Sequence, residues 1–181
     1  MPPIPPLPHL SFILGGARSG KSNYAQLRAE SAAASGGKQP ALIYVATAQA
    51  GDAEMAERIL RHQSDRGARW KTLEAPLELA DAVTQTSSPD QITVVDCLTL
   101  WLSNLIHAGR DIEKESDTLL RALSHSPARI ILISNETGLG IVPDNALARL
   151  FRDHAGRLHQ KIAAQADQVF FIAAGLPLQM K

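Results

Sequence analysis

The chain has 181 residues, 45% of them hydrophobic and 20% charged, with eighteen basic residues against eighteen acidic ones. This composition suits a single folded domain; it excludes wholesale disorder, and the neutral balance excludes the strongly basic footprint of a general nucleic-acid binder. The single cysteine, Cys97, excludes an internal disulfide and a cysteine-cluster zinc site, and without an apolar run of ~18 residues or a visible signal peptide the expectation is a cytoplasmic protein with no membrane span.

Residues 1–11 (MPPIPPLPHLS) hold five of the eleven prolines. Proline removes amide donors and favours polyproline II, so this reads as an extended arm before one domain over residues 12–181. Ser11–Leu14 reads as a short buried strand. The glycine-rich GGARSGKS follows, then a helical pattern from Lys21 to about Ala34. After a turn, Ala41–Ala46 (ALIYVA) is an apolar run fit for a buried parallel strand. Asp52 is placed to cap a helix from Ala53 to about Gln63. Arg69–Leu73 reads as a strand, and Pro76 as the opening of a helix to about Thr84. Ile92–Val95 is a buried strand ending at Asp96. Helical stretches follow around Leu98–Ile106 and Ile112–Ser124. Arg129–Ser134 (RIILIS) is a further strand, and Pro143 starts a long amphipathic helix to about Gln165. Gln168–Ala173 is a strand, and Leu176–Met180 adds one at an edge. Strands alternating with helices predict an α/β fold, a mainly parallel sheet covered by helices on both faces.

Gly15-Gly16-Ala17-Arg18-Ser19-Gly20-Lys21-Ser22 matches G-x-x-x-x-G-K-[ST] at every required position, with a strand before it and a helix after it. Glycines let the backbone amides turn inward around an anion at a helix N-terminus. Lys21 is placed to reach the β- and γ-phosphates, and the Ser22 hydroxyl suits Mg²⁺. The pattern also needs a carboxylate at the end of another buried strand, and Asp96 is the candidate. Asp at a strand-to-helix junction also caps helices, and both roles stand at this point. The guanine-reading N-K-x-D motif of switch GTPases is absent. Gly138-Leu139-Gly140 lacks the third glycine of a dinucleotide fingerprint.

The neutral total hides an asymmetry. Residues 1–71 carry nine basic and five acidic side chains, and residues 72–181 carry nine and thirteen. The excess is densest at Arg58, Arg61, Arg66, Arg69 and Lys71. One reading is a solvated helix face, the other an anion site. Of the six histidines, His62 alone lies inside this basic segment. A neutral imidazole nitrogen is a competent nucleophile toward phosphorus, and neighbouring arginines keep it unprotonated and neutralise the phosphate it attacks. His9, His107, His125, His154 and His159 read as arm, helix-end or polar-helix residues.

GGARSGKS, IYVATAQ, EMAERILRHQ, VVDCLTLWLSNL and SNETGLGIVPDNALARLFRDHAGRLHQKIA together resemble the bifunctional adenosylcobinamide kinase/adenosylcobinamide-phosphate guanylyltransferase family of cobalamin biosynthesis. The resemblance runs from about Phe12 to Lys181. It implies a recombinase-like P-loop NTPase core and a homotrimer. It implies phosphorylation of adenosylcobinamide by ATP or GTP, then transfer of GMP from GTP to adenosylcobinamide phosphate through a GMP-histidine intermediate at His62. Implied nucleotide contacts are the loop from Gly15 to Ser22, the turn Ala46-Thr47-Ala48, the run Gln63, Ser64, Asp65 and Arg66, and the acidic Glu74 and Asp96. Lys21 is the implied catalytic cation, with Ser22 and Asp96 toward the metal. Ala48 stands where serine is common, and Asp96 where glutamate also occurs. A monofunctional P-loop kinase of another small hydroxylated metabolite would keep Lys21, Ser22 and Asp96 but form no His62 adduct. A non-catalytic nucleotide-binding module would bind without turnover.

Overall fold

The computed structural model describes residues 5–35, 39–49 and 67–181. The expected helix over Ala53–Gln63 therefore lies outside the described residues. Twelve elements follow in chain order: β1 (Leu10–Gly15), α1 (Lys21–Ala34), β2 (Ala41–Ala46), β3 (Trp70–Glu74), α2 (Leu79–Gln85), β4 (Gln91–Asp96), α3 (Leu98–His107), α4 (Ile112–His125), β5 (Arg129–Asn135), α5 (Ala146–Gln165), β6 (Gln168–Ala173) and β7 (Leu176–Gln179). The seven strands form one sheet in the order β3-β2-β4-β5-β1-β6-β7. All neighbours run parallel except β6 and β7, which form an antiparallel hairpin. Parallel strands are covered on both faces, which is why β1, β2, β4 and β5 read as nearly unbroken apolar runs.

Alternate residues of β1 face opposite layers. Leu10, Phe12 and Leu14 join one core with Leu79 and Val83 of α2, Leu98 and Trp101 of α3, Leu119 and Leu123 of α4, and Leu158 and Ile162 of α5. Ile13 joins the opposite core, where Ala25, Ala29 and Ala33 of α1 lie against Ile92, Val94 and Ile131. Alanines four apart form one helix stripe with no side chain to hold it off, so α1 sits close on the sheet.

Three boundaries differ from the sequence reading. β1 begins at Leu10, so Leu10 and Ser11 belong to the sheet. The stretch before it is docked as well: Leu7 packs against the α1 core, and the Pro6 carbonyl accepts from the Arg28 guanidinium at 3.2 Å. The long helix starts at Ala146 and not at Pro143, because the Asn145 side chain accepts from the backbone N–H of Leu147 and Ala148 and sets the first turn. α2 starts at Leu79, two residues beyond the Pro76-Leu77 bend.

Candidate functional site

The loop between β1 and α1 takes the form its glycines predict. Gly15 and Gly20 have φ of 154° and 101°. A Cβ on Gly15 would stand 2.4 Å from the Ile172 carbonyl oxygen, and one on Gly20 would stand 3.2 Å from the Gly175 Cα. Both obstacles come from the β6–β7 hairpin. Its two-residue turn, Ala174-Gly175, has positive φ at both positions, as a type I′ turn requires. The turn also bonds to the loop directly, the Gly175 N–H donating to the Ser19 carbonyl at 2.8 Å. Thus the C-terminal hairpin buttresses the loop from the side opposite β5.

Lys21 is buried, and its Nζ donates to the Gly16 carbonyl at 2.6 Å. Burial pulls its pKa down, while the Asp96 carboxylate opposes that shift. The ammonium thus spans the loop and faces an acidic partner. Ala17 and Arg18 are exposed at the loop's crown, Arg18 with φ 56°.

Asp96 ends β4, separated from β1 only by β5. Its Oδ2 accepts from the Ser22 hydroxyl at 2.5 Å and from the Tyr44 hydroxyl at 2.7 Å. The capping role is not what Asp96 performs: Cys97 is the N-cap of α3, and no side chain caps that end. Ser22 and Asp96 therefore meet across 74 residues of sequence. A hydroxyl and a carboxylate in contact are hard oxygen donors of the kind that hold Mg²⁺. Among the described residues, no cluster of three or more His, Cys, Asp or Glu side chains is present.

The other expected contacts line up along one edge of the sheet. Ala46 pairs in register with Asp96 on one side and with Glu74 on the other. Glu74 is exposed, at the mouth of a recess with Ala75, Pro76 and Asp81. Thr47 follows Ala46 at this edge. It is fully buried, and its hydroxyl accepts from the Cys97 N–H at 2.8 Å and donates to the Cys97 carbonyl at 2.7 Å. The Asn104 amide holds the Thr47 and Pro76 carbonyls at 2.8 and 2.9 Å. These bonds tie the turn after β2 to the junction that carries Asp96. Ala48, half-buried beside Thr47, has no side-chain donor. His62, Gln63, Ser64, Asp65 and Arg66 lie outside the described residues.

Sequence reasoning missed several contributors. Tyr44 sat inside an apolar run and read as core. Asn104 and Asn135 lie inside the blocks VVDCLTLWLSNL and SNETGLGIVP but were given no role, and the Ala174-Gly175 turn carries no motif. His159, read as a polar-helix residue, is buried: its Nε2 shares a 2.7 Å hydrogen bond with the Ser134 hydroxyl, and its ring lies 5.6 Å from that of Phe12. Burial pulls its pKa down, with Glu136 opposing.

Comparisons with known proteins converge with this geometry. The family described as CobU, "Cobinamide kinase / cobinamide phosphate guanyltransferase", matches residues 11–180. The chain is 49% identical over 173 residues to the bifunctional adenosylcobalamin biosynthesis protein CobP of Pseudomonas aeruginosa, covering 94% of this chain and 96% of the relative. It is 38% identical over 185 residues to the bifunctional adenosylcobalamin biosynthesis protein CobU of Salmonella typhimurium, covering 94% and 98%. Among solved structures it is similar to the flagellar accessory protein FlaH of Methanocaldococcus jannaschii, with a TM-score of 0.54 at 14% identity over 97% of this chain and 80% of that one. The ATPase domain of G40P gives a TM-score of 0.51 at 14% identity, over 90% and 68%. These two likenesses show the P-loop ATPase fold.

Proposed function

We propose, from the premise that the chain belongs to the cobinamide kinase / cobinamide phosphate guanyltransferase family, that its two phosphate-transfer reactions share the sheet edge holding Lys21, Ser22 and Asp96. The chain is a bifunctional enzyme of cobalamin biosynthesis, a cobinamide kinase and cobinamide-phosphate guanylyltransferase. The observation that carries the assignment of the site is the contact of Ser22 with Asp96 directly below the phosphate loop.

In the kinase step the substrate hydroxyl of adenosylcobinamide attacks the γ-phosphorus of ATP or GTP. This transfer needs positioning and charge neutralisation more than covalent chemistry. The loop amides from Gly15 to Ser22 cradle the phosphates. Lys21, freed from the Gly16 carbonyl, neutralises the charge that develops on them. The Ser22 hydroxyl and Asp96 carboxylate would hold Mg²⁺, which when bound neutralises phosphate charge. Arg18 at the exposed crown meets phosphate from outside. Ala46 and Ala48 offer the nucleotide backbone, since the Thr47 hydroxyl is spent on Cys97, and Glu74 closes that end of the row.

In the guanylyl step an unprotonated His62 nitrogen attacks the α-phosphorus of GTP, and pyrophosphate leaves with the electron pair of the broken P–O bond. Gln63, Ser64, Asp65 and Arg66 accompany His62 at the nucleotide. An oxygen of adenosylcobinamide phosphate then attacks the phosphorus of the GMP-His62 phosphoramidate, the P–N bond breaks with its electron pair returning to the His62 nitrogen, and adenosylcobinamide-GDP forms. The sequence motif and the family carry this step. The family resemblance likewise supports a homotrimer and a cytoplasmic location. Among the described residues, no helix is long and apolar enough to cross a membrane.

The test is retention of label. Protein incubated with GTP labelled at the α-phosphate and then denatured keeps acid-labile, alkali-stable label; His62→Ala keeps none, and γ-label is not retained by either. Equal retention by His62→Ala rules out the histidine intermediate. A kinase of another metabolite would release no pyrophosphate from GTP in the presence of adenosylcobinamide phosphate.

A further inference from the structure

A groove of about 600 Å³ runs between α3 and α5. Its walls are apolar, with Leu100 and Ile106 from α3 facing Leu147 and Phe151 from α5. Hydroxyls and amides punctuate them: Ser103 on one side and Asn145 on the other. The inner end is closed by Asn135 and Thr99, whose side chains bond to each other at 3.1 Å.

This inner end adjoins the phosphate loop. Asn135 pairs in register with Gly15, and the next residue, Glu136, donates its N–H to the Gly15 carbonyl at 3.0 Å. Adjacent strands lie ~4.8 Å apart, so the groove begins about one strand spacing from the first residue of the loop. A ligand lying in it presents one end to the phosphates.

The outer rim is unusual. The segment between Thr137 and Pro143, both of which line the groove, exposes Leu139 at 83%, Ile141 at 95% and Val142 at 64%. Three large apolar side chains displayed together beside an apolar groove mark a surface that something covers. The groove alone is of the size that takes a ligand of ~300–1,000 Å³ pockets, and the rim extends it.

We infer that this groove and its apolar rim receive the corrinoid acceptor, with the arm that bears its hydroxyl or phosphate directed past Asn135 toward the loop. The inference rests on the cobinamide reading above. A corrin ring is broad and methyl-studded, with carboxamide chains around its edge. Apolar walls interrupted by Ser103, Asn135 and Asn145 suit both parts. The site's continuity with the phosphate loop is what selects the acceptor over other occupants.

The experiment uses the full chain and two variants, Ser103→Trp, which fills the groove, and Leu147→Gln, which makes one exposed wall polar. Kinase rates are measured against adenosylcobinamide at saturating ATP and against ATP at saturating adenosylcobinamide, with melting temperature and solution mass for each protein. The expected result is a rise of about tenfold or more in KM for adenosylcobinamide, KM for ATP within twofold, and unchanged mass. KM for adenosylcobinamide within twofold of wild type in both variants overturns the inference. So does a rise in KM for ATP alone, which would make the groove a nucleotide-base pocket. A change of solution mass with both KM values raised would make it a contact between copies and also overturns it. Should Ser103→Trp melt early, Leu147→Gln, at a half-exposed position, decides alone. A wild type that turns over ATP with no adenosylcobinamide phosphorylated sinks the cobinamide reading itself, and this inference with it.

Discussion

Thr47→Val tests whether the turn after β2 is a structural clip. Valine copies the shape of threonine and removes only the hydroxyl. In the folded protein that hydroxyl pairs with both the N–H and the carbonyl of Cys97, at 2.8 and 2.7 Å, in a fully buried place. The Cys97 carbonyl keeps the Trp101 N–H at 3.2 Å, so the change leaves the Cys97 N–H unpaired, a buried donor whose loss of partner costs about 1–3 kcal/mol. With a urea slope of about 2 kcal/mol per molar, a loss near 2 kcal/mol moves the unfolding midpoint down by about 1 M. Thr47→Ser keeps the hydroxyl and loses one buried methyl, worth about 1 kcal/mol, so its midpoint falls by only about 0.5 M. The assay is urea unfolding of the three proteins followed by circular dichroism. A Val midpoint within about 0.3 M of wild type, or a Ser midpoint as low as that of Val, refutes the clip.

Asp96→Asn removes the charge beside Ser22 while keeping an oxygen that accepts from Ser22 and Tyr44, so both transfer rates fall about 100-fold with the fold retained, read from turnover and from the unfolding midpoint. Kinase turnover within threefold of wild type would remove Asp96 from the site. His159 supplies a pH dependence. Its folded pKa lies below the ordinary imidazole value of 6.5 because it is buried, so the unfolded chain takes up its proton first as pH falls. Stability contributed by the neutral ring is full above about 6.5 and is lost as pH falls from there toward the folded value, with a slope of at most about 1.4 kcal/mol per pH unit. Unfolding midpoints between pH 7 and pH 5 fall more steeply for wild type than for His159→Gln; parallel profiles would show that His159 does not bear this proton.

Strands β1, β2, β4 and β5 were legible because both their faces are buried, which gives short unbroken apolar runs such as RIILIS and ITVV. The phosphate loop was legible because its chemistry depends on backbone turns that only certain residues allow. What sequence did not show was partnership at a distance. Tyr44 looks like any aromatic in a buried strand, and only the parallel register beside β4 brings its hydroxyl to Asp96. Thr47 was a nucleotide contact by family resemblance alone, which says nothing of its side-chain partners. Its hydroxyl turns inward, where it is the partner of the Cys97 N–H and shares the Cys97 carbonyl with the Trp101 N–H. His159 looked polar because its helical neighbours are polar; β1 and β5 bury it, and neither is near it in sequence.

The glycines of the loop have a cause outside the motif. Gly15 and Gly20 face the β6–β7 turn, and any side chain there meets the backbone of Ile172 or Gly175. The phosphate cradle is therefore fixed from two sides, by β5 through the Glu136 N–H and by the hairpin through the Gly175 N–H. Such a cradle can serve two reactions without rearranging, because the donors and acceptors approach it from different places. The row from Asp96 through Ala46 to Glu74 extends along the sheet edge toward β3. The α3–α5 groove meets this edge at Asn135, the end of β5, which lies between β4 and the loop-bearing β1. With the proposed nucleotide along the row and the proposed acceptor in that groove, one anchored loop would let a single domain transfer a γ-phosphoryl group in one reaction and a nucleotidyl group in the next.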